Sequence, residues 1–282
     1  MGQGQEEKIR PEPQTEIQER GEIFFFYRPK VNKEEAHSAD DVQRLYIIMR
    51  PESGERQVED TNKEQVNIEK QALFRFIVMG RKKLPDPKEK SRPYWGFVEM
   101  VTTKVDQVKN ALRGVEYETS TKGHRHTSHA RALGEGIYRI VRHKQEDGKR
   151  SHTHLIYKLE FPGEGEKKEP QQELNIEREG SFIIQIKNPE KGGGGGLQKK
   201  RKAVFPAHLQ GELGHVRFGP ADPPDFLNYE GCEFLLISAS DDIEHELGLK
   251  LVTEECSDLL NTFKFAQDDD ASVTPFLKGI WA

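Results

Sequence analysis

Imidazoles supply the first chemistry that this chain's residue types suggest. GHRHTSH at 123–129 carries His124, His126 and His129, and a second group, His143, His152 and His154, brackets the stretch QEDGKRS at 145–151. If QEDGKRS closes a hairpin, His143 faces the start of the next strand near His152, while His152 and His154 share one strand face. His143, His152 and His154 are therefore candidate metal ligands. Zinc, however, needs tetrahedral or open three-ligand geometry with outer-sphere support, which HxH spacing alone does not impose. The plainer alternative is a solvated hairpin.

A second kind of chemistry is anion binding. YRPK at 27–30 and VRHK at 141–144 end two strand-like runs in matching fashion. Arg28, Lys30, Arg142 and Lys144 are candidates for gripping phosphate or carboxylate, Arg through its planar donor fork and Lys as a mobile charge. The competing explanation is that basic residues at strand ends protect edges or pair with nearby acids. Asp222, Asp225 and Glu230, set around Phe226 and Tyr229 in FGPADPPDFLNYEG, are the carboxylates that would act as general acid or base on a substrate held by Arg28 and Arg142. No Walker loop, GxGxxG, GxSxG, HExxH or EF-hand pattern occurs, so no catalytic machinery is spelled out. Cys232 in GCEFLL reads as a core position, and with Cys256 it forms neither a CxxC pair nor a disulfide framework.

Elements must position these residues, and the apolar pattern predicts mostly strands. GEIFFFYRPKV (21–31), RLYIIMRP (44–51), ALFRFIVMG (72–80) and YWGFVEMV (94–101) read as four strands, with Phe74, Phe76 and Val78 on one face of the third and Arg75 on the other. TTKVDQVKNALRG then predicts a capped helix through Val105, Val108 and Leu112 that ends near Gly114. The same order returns in GIYRIVRHK (136–144), THLIYKLEFP (153–162), SFIIQIKNP (181–189) and GCEFLLISAS (231–240), followed by a helix in SDDIEHELGL.

NIEKQALFRFIV at 67–78 and NIEREGSFIIQI at 175–186 are nearly one phrase written twice. Arg28 and Arg142 stand 114 positions apart, Pro51 and Pro162 111, and Asn67 and Asn175 108, whereas Phe97 and Phe234 stand 137 apart, which locates an insertion near 190–230. The expectation is α+β and β-rich: a tandem duplication of a ββββα unit, packed as a pseudo-twofold bilobal body with Phe74 and Phe182 at matching core positions. It divides into a disordered acidic tail (1–20), a first repeat (21–118), a His-bearing basic connector (119–133), a second repeat with its insertion (134–252), and a C-terminal helix and docking tail (253–282). TPFLKGIWA is expected to dock through Phe276, Leu277, Ile280 and Trp281. Within the insertion, KGGGGG reads as a flexible linker and FPAHLQGEL as a short helix.

GEIFFFYRPKV, SRPYWGFVEM, THLIYKLEFP and ADPPDFLNYEG together resemble an uncharacterised family of plant proteins with more distant bacterial-looking relatives, over about residues 21–282. The resemblance implies a soluble module and carries over no catalytic residue.

The 282 residues hold 43 basic and 48 acidic side chains, for a net charge of -5, which disfavours a dedicated nucleic-acid or membrane-surface binder. No run approaches the length of a membrane span. The function expected is non-enzymatic binding of an unknown protein or anionic small molecule, with no cofactor strongly implied. One alternative is an enzyme acting on a phosphorylated or carboxylated small molecule, and the other is the metal-binding scaffold. A cytoplasmic location is expected, with KKRK at 199–202 as a potential nuclear signal.

Overall fold

Apolar residues on both faces of successive strands mean that each strand needs cover on two sides, and here one face turns into a barrel while the other meets helices. The computed structural model describes residues 4–11, 14–52, 57–59, 65–67, 73–89, 92–121, 123–144, 151–163, 168–191, 201–253, 263 and 270–282. Its strands are β1 (Gln5–Lys8), β2 (Gln14–Pro29), β3 (Val42–Pro51), β4 (Gln57–Glu59), β5 (Gln65–Asn67), β6 (Phe74–Met79), β7 (Tyr94–Thr102), β8 (Val115–Thr119), β9 (Gly123–Thr127), β10 (Arg131–Lys144), β11 (Ser151–Phe161), β12 (Glu179–Lys187), β13 (Phe218–Pro220), β14 (Glu233–Ser240) and β15 (Leu249–Val252). The helices are α1 (Val105–Leu112), α2 (Glu169–Glu173), α3 (Ala207–Leu213), α4 (Ile243–Leu247) and α5 (Asp270–Lys278).

Eight antiparallel strands pair in the order β11-β10-β2-β3-β6-β7-β14-β12, and β12 pairs back onto β11, closing the sheet into a barrel. The sequence reading expected two sheets packed as lobes. Instead, the four-stranded runs β2-β3-β6-β7 and β10-β11-β12-β14 join edge to edge, β2 against β10 and β7 against β14. Closure removes the open edges that two separate sheets would leave unpaired.

Side chains fill the interior. Phe25 of β2 meets Tyr157 of β11 with ring centroids 5.2 Å apart, and Tyr157 stacks on Phe182 of β12 at 6.2 Å. Ile47, Ile77, Val98, Ile140, Ile184 and Phe234 complete the same buried cluster. Burying each such side chain contributes about 1.5–3 kcal/mol, and an eight-stranded barrel is just wide enough for its own side chains to fill.

The outer wall is covered in two places. Phe24, Phe26, Tyr46, Ile48, Phe74 and Phe76 lie under α1, Phe263 and Phe276 of α5. Val108 and Leu112 sit four residues apart, so they share the buried stripe of α1. Lys104 begins that helix without the side-chain cap bond expected from TTK. Ile137, Val141 and Ile156 lie under Ile243 and Leu247 of α4, with Leu249 and Leu251 of β15. Asp242 caps α4 by accepting from the His245 N–H at 2.8 Å, and Gly248 ends it at φ 63, a left-handed conformation that suits glycine.

Phe74 thus faces outward and Phe182 inward, so the two similar phrases do not place these phenylalanines at matching core positions. Much of the acidic stretch expected to be a tail is strand: Gln5–Lys8 pairs with β15, and 14–20 forms the first half of β2. Arg139, on the outer face of β10, holds Glu6 at 2.8 Å and the Gly4 carbonyl, which draws this polar segment onto the wall. The connector is a hairpin of β8 and β9.

Both barrel ends are closed. At one, Phe205, Leu209, Leu213, Ala221, Phe226 and Leu227 of the insertion join the interior cluster. At the other, Ala36, Leu84, Leu174 and Ile176 close in, and Trp281 packs on Tyr27 with centroids 5.4 Å apart. Tyr27 donates to the Ala282 carbonyl at 2.7 Å. The expected docking therefore runs through Phe276 and Trp281, while Leu277 and Ile280 are exposed. Among the described residues no helix is long and apolar enough to cross a membrane.

Candidate functional site

Polar groups concentrate inside the barrel end closed by the insertion. Arg75 alternates inward between the outward Phe74 and Phe76, and its side chain is 1% exposed. Its guanidinium donates to both oxygens of Glu19, at 2.5 and 2.8 Å, and its Nε donates to Asn228 Oδ1 at 2.8 Å. The Tyr138 hydroxyl donates to Glu19 at 2.7 Å. Burial alone would lower the pKa of Arg75, yet Glu19 and then Tyr138 beside it, with Asp225 adding less, hold it above its ordinary value. Burial, reinforced by Glu19, pushes the Tyr138 phenol well up. Burial also pushes up the Cys232 thiol, which leaves it a core side chain rather than a thiolate nucleophile.

At the rim of the same end, Arg142 grips Asp222 with two donors, one of them Nη2 to Oδ1 at 2.8 Å, and reaches Glu16 at 2.8 Å. The hydrogen bond to Asp222 raises the Arg142 pKa. Glu230 accepts from the Val101 N–H at 3.1 Å and pairs with Arg201. Every carboxylate singled out from the sequence is therefore in the insertion that closes this end: Asp222 on Arg142, Asp225 near Arg75, and Glu230 on Arg201.

The anion-binding expectation does not survive the geometry. Arg28 and Arg142 end two antiparallel neighbours, so they lie at opposite ends of the β2–β10 ladder, on the order of 40 Å apart at the rise of a strand. Arg28 is buried and spends its donors on the Tyr46 hydroxyl (3.0 Å) and the carbonyls of Ala111 (2.8 Å), Arg113 (3.0 Å) and Ser128 (2.7 Å). It serves the C-terminal end of α1, where a cation is favoured. Lys30 and Lys144 are exposed strand-end residues.

The histidines do come together as the hairpin reading expected. His143 pairs with His152 across β10 and β11, and the rings of His143 and His154 lie 5.4 Å apart. His154 is buried beneath α4, with Nδ1 3.1 Å from Ser181 Oγ and 3.6 Å from Glu246. Burial, then His143 and His152, lower its pKa to about 3, so the imidazole is neutral. Burial lowers His143 as well and raises Glu246. One His154 nitrogen is committed to Ser181, and among the described residues no group of three or more His, Cys, Asp or Glu is arranged to hold a metal ion. The turn at 145–150, the glycines at 192–196 and Lys199 and Lys200 of KKRK lie outside the described residues.

Sequence reasoning passed over Glu19, Tyr138, Asn228, Ser181 and Glu246, which lack any motif. Arg75 did carry a signal: a lone charge in FRFIVM, a strand whose neighbours on both faces are apolar, must be paired if it is buried. The arrangement around it holds the insertion in the barrel mouth through two arginine contacts, Arg75 to Asn228 and Arg142 to Asp222. No protein-family model, curated protein or solved structure matches this chain.

Proposed function

We propose that this protein is a non-enzymatic binding protein, in which a duplicated, β-rich scaffold serves as a rigid body that a protein partner engages from outside. The observation that carries the reading is the interior: aromatic and aliphatic side chains fill the barrel, described residues pack over both of its ends, and the interior guanidinium of Arg75 is held by Glu19 and Asn228. A scaffold so filled offers its outer surface rather than a cavity. Native mass spectrometry of the untagged protein against its denatured mass tests this. Equal masses are expected, and a stoichiometric small molecule or metal retained by the native protein would overturn the reading.

Duplication is part of the proposal. Each half is a run of four antiparallel strands followed by a helix, α1 or α4, and like strands pair across the seams, first with first and last with last. A twofold relation between halves gives this pairing, although the opposite facing of Phe74 and Phe182 requires that the phrases have shifted register since. The β8–β9 turn is the covalent bridge between the halves. A chain nicked there should stay assembled and fold cooperatively, because the seams β2–β10 and β7–β14 hold it; fragments that separate and unfold independently would count against two matched halves.

A further inference from the structure

We propose that the outer edge of β8 is a strand-addition site for an extended segment of a protein partner in which Lys or Arg alternates with apolar residues. The proposal rests on the scaffold reading above and names where and how the partner binds.

Among the described residues, the β8–β9 hairpin has one occupied edge and one edge that no strand pairs. On the β9 side, the Asn32 N–H donates to the His126 carbonyl at 2.9 Å and the His126 N–H donates to Asn32 Oδ1 at 3.1 Å. Among the described residues β8 pairs with no strand but β9. The hairpin does not swing freely, because the buried Arg28 guanidinium holds both of its feet, the Arg113 carbonyl before β8 and the Ser128 carbonyl after β9. Ser128 Oγ also donates to the Lys33 carbonyl at 2.5 Å. An edge held this firmly loses little conformational freedom when a peptide adds to it.

The sequence of that edge, VEYET, has no Pro, no Lys and no bulge, and its charged side chains are the two acids Glu116 and Glu118. Val115 and Tyr117 lie on one face, 56% and 38% exposed, and Glu116 and Glu118 are exposed on the other. A second copy pairing antiparallel about Tyr117 would set Glu116 opposite Glu118 of its twin, and like charges directly opposite repel. A partner strand with cations at those two positions and apolar residues between them satisfies both faces at once. Glu116 lies 3.8 Å from His124 and stays exposed, so it can still reach such a cation.

The test is titration of the 15N-labelled full-length protein with acetyl-VKVKV-amide and with acetyl-VEVEV-amide, read by backbone amide shifts. The lysine peptide should move amides of 115–119 and bind about tenfold tighter than its glutamate counterpart, the scale of two exposed ion pairs made rather than opposed. The exposed double variant Glu116→Lys/Glu118→Lys should reverse that preference without altering amides of the barrel. Equal binding of both peptides, absence of shifts in 115–119, or an unreversed preference would overturn the proposal while leaving the scaffold reading intact. That reading fails separately, on retained native mass.

Discussion

The two ends of the barrel are closed by different physics. At the insertion end, Arg75, Glu19, Tyr138 and Asn228 form a buried polar knot, and Arg142 and Asp222 add a second tie at the rim. At the opposite end, Ala36, Leu84, Leu174, Ile176 and Trp281 seal the mouth largely by apolar contact, with a hydrogen bond from Tyr27 to the chain at Ala282. Apolar contact is tolerant of small displacements, whereas a guanidinium bonded to both oxygens of one carboxylate accepts a single geometry. The polar end therefore specifies where the insertion sits, and the apolar end mainly contributes burial.

The largest expected effect separates these roles. Arg75→Met strands Glu19 in the interior and should cost about 3–5 kcal/mol in chemical denaturation, whereas Arg75→Met combined with Glu19→Leu should recover most of that loss, because removing both charges also removes the desolvation cost. A single variant as stable as the native protein would mean that the knot carries no constraint. Next in size is Trp281→Ala at the other end, expected to cost about 2–3 kcal/mol, less than a fully buried Trp because this one is only half-buried. That cost should not change between low and high salt, and a strong salt dependence would blur the contrast between the ends.

Much of this barrel is legible in the sequence, and the limits are physical. The short apolar runs in FFFYRP, YIIMRP and FRFIVM predict strands well, because a run of four to eight apolar and β-branched or aromatic residues closed by a turn signal suits a strand buried on both faces. The eight strands of the wall coincide with the eight runs read from the sequence. Closure into one barrel is not legible, since it depends on which edges meet, and nothing in GEIFFFYRPKV marks β10 as its neighbour. The polar tail misleads for a related reason. Its strand form depends on pairing with β10 and β15 and on Arg139, all remote in the chain. The Arg28 and Arg142 match fails because equal position in a repeated order says nothing about direction: antiparallel first strands send their ends apart. Asp222 and Arg142 were both visible as candidates, but their meeting depends on the insertion folding back over the mouth.

A pH titration sharpens the comparison on the outer wall of the polar end. His154 is neutral in the folded protein, with its pKa near 3, and the unfolded chain takes up that proton below about 6.5. Stability from this group is therefore present above about pH 6.5 and falls as pH drops toward 3, by about 2 kcal/mol between pH 7 and 5. Glu246 has the opposite sign: burial raises its pKa, so it favours the folded state as acid is added and offsets part of the loss. His154→Gln should flatten the slope of unfolding free energy between pH 7 and 5, and an unchanged slope would place its source elsewhere.

The smallest effect is the most discriminating within the polar end itself. Arg142 binds Asp222 with two donors, much as Arg75 binds Glu19, but the Arg142 side chain is 29% exposed and that of Arg75 is 1% exposed. Water screens the first pair and not the second. Arg142→Ala should therefore cost less than about 1 kcal/mol, and less again in 1 M salt. If it costs as much as Arg75→Met, the rim tie is holding the insertion in place and the buried knot is secondary. If it costs nothing while Arg75→Met unfolds the protein, burial and not the geometry of the arginine fork decides which contact closes the barrel.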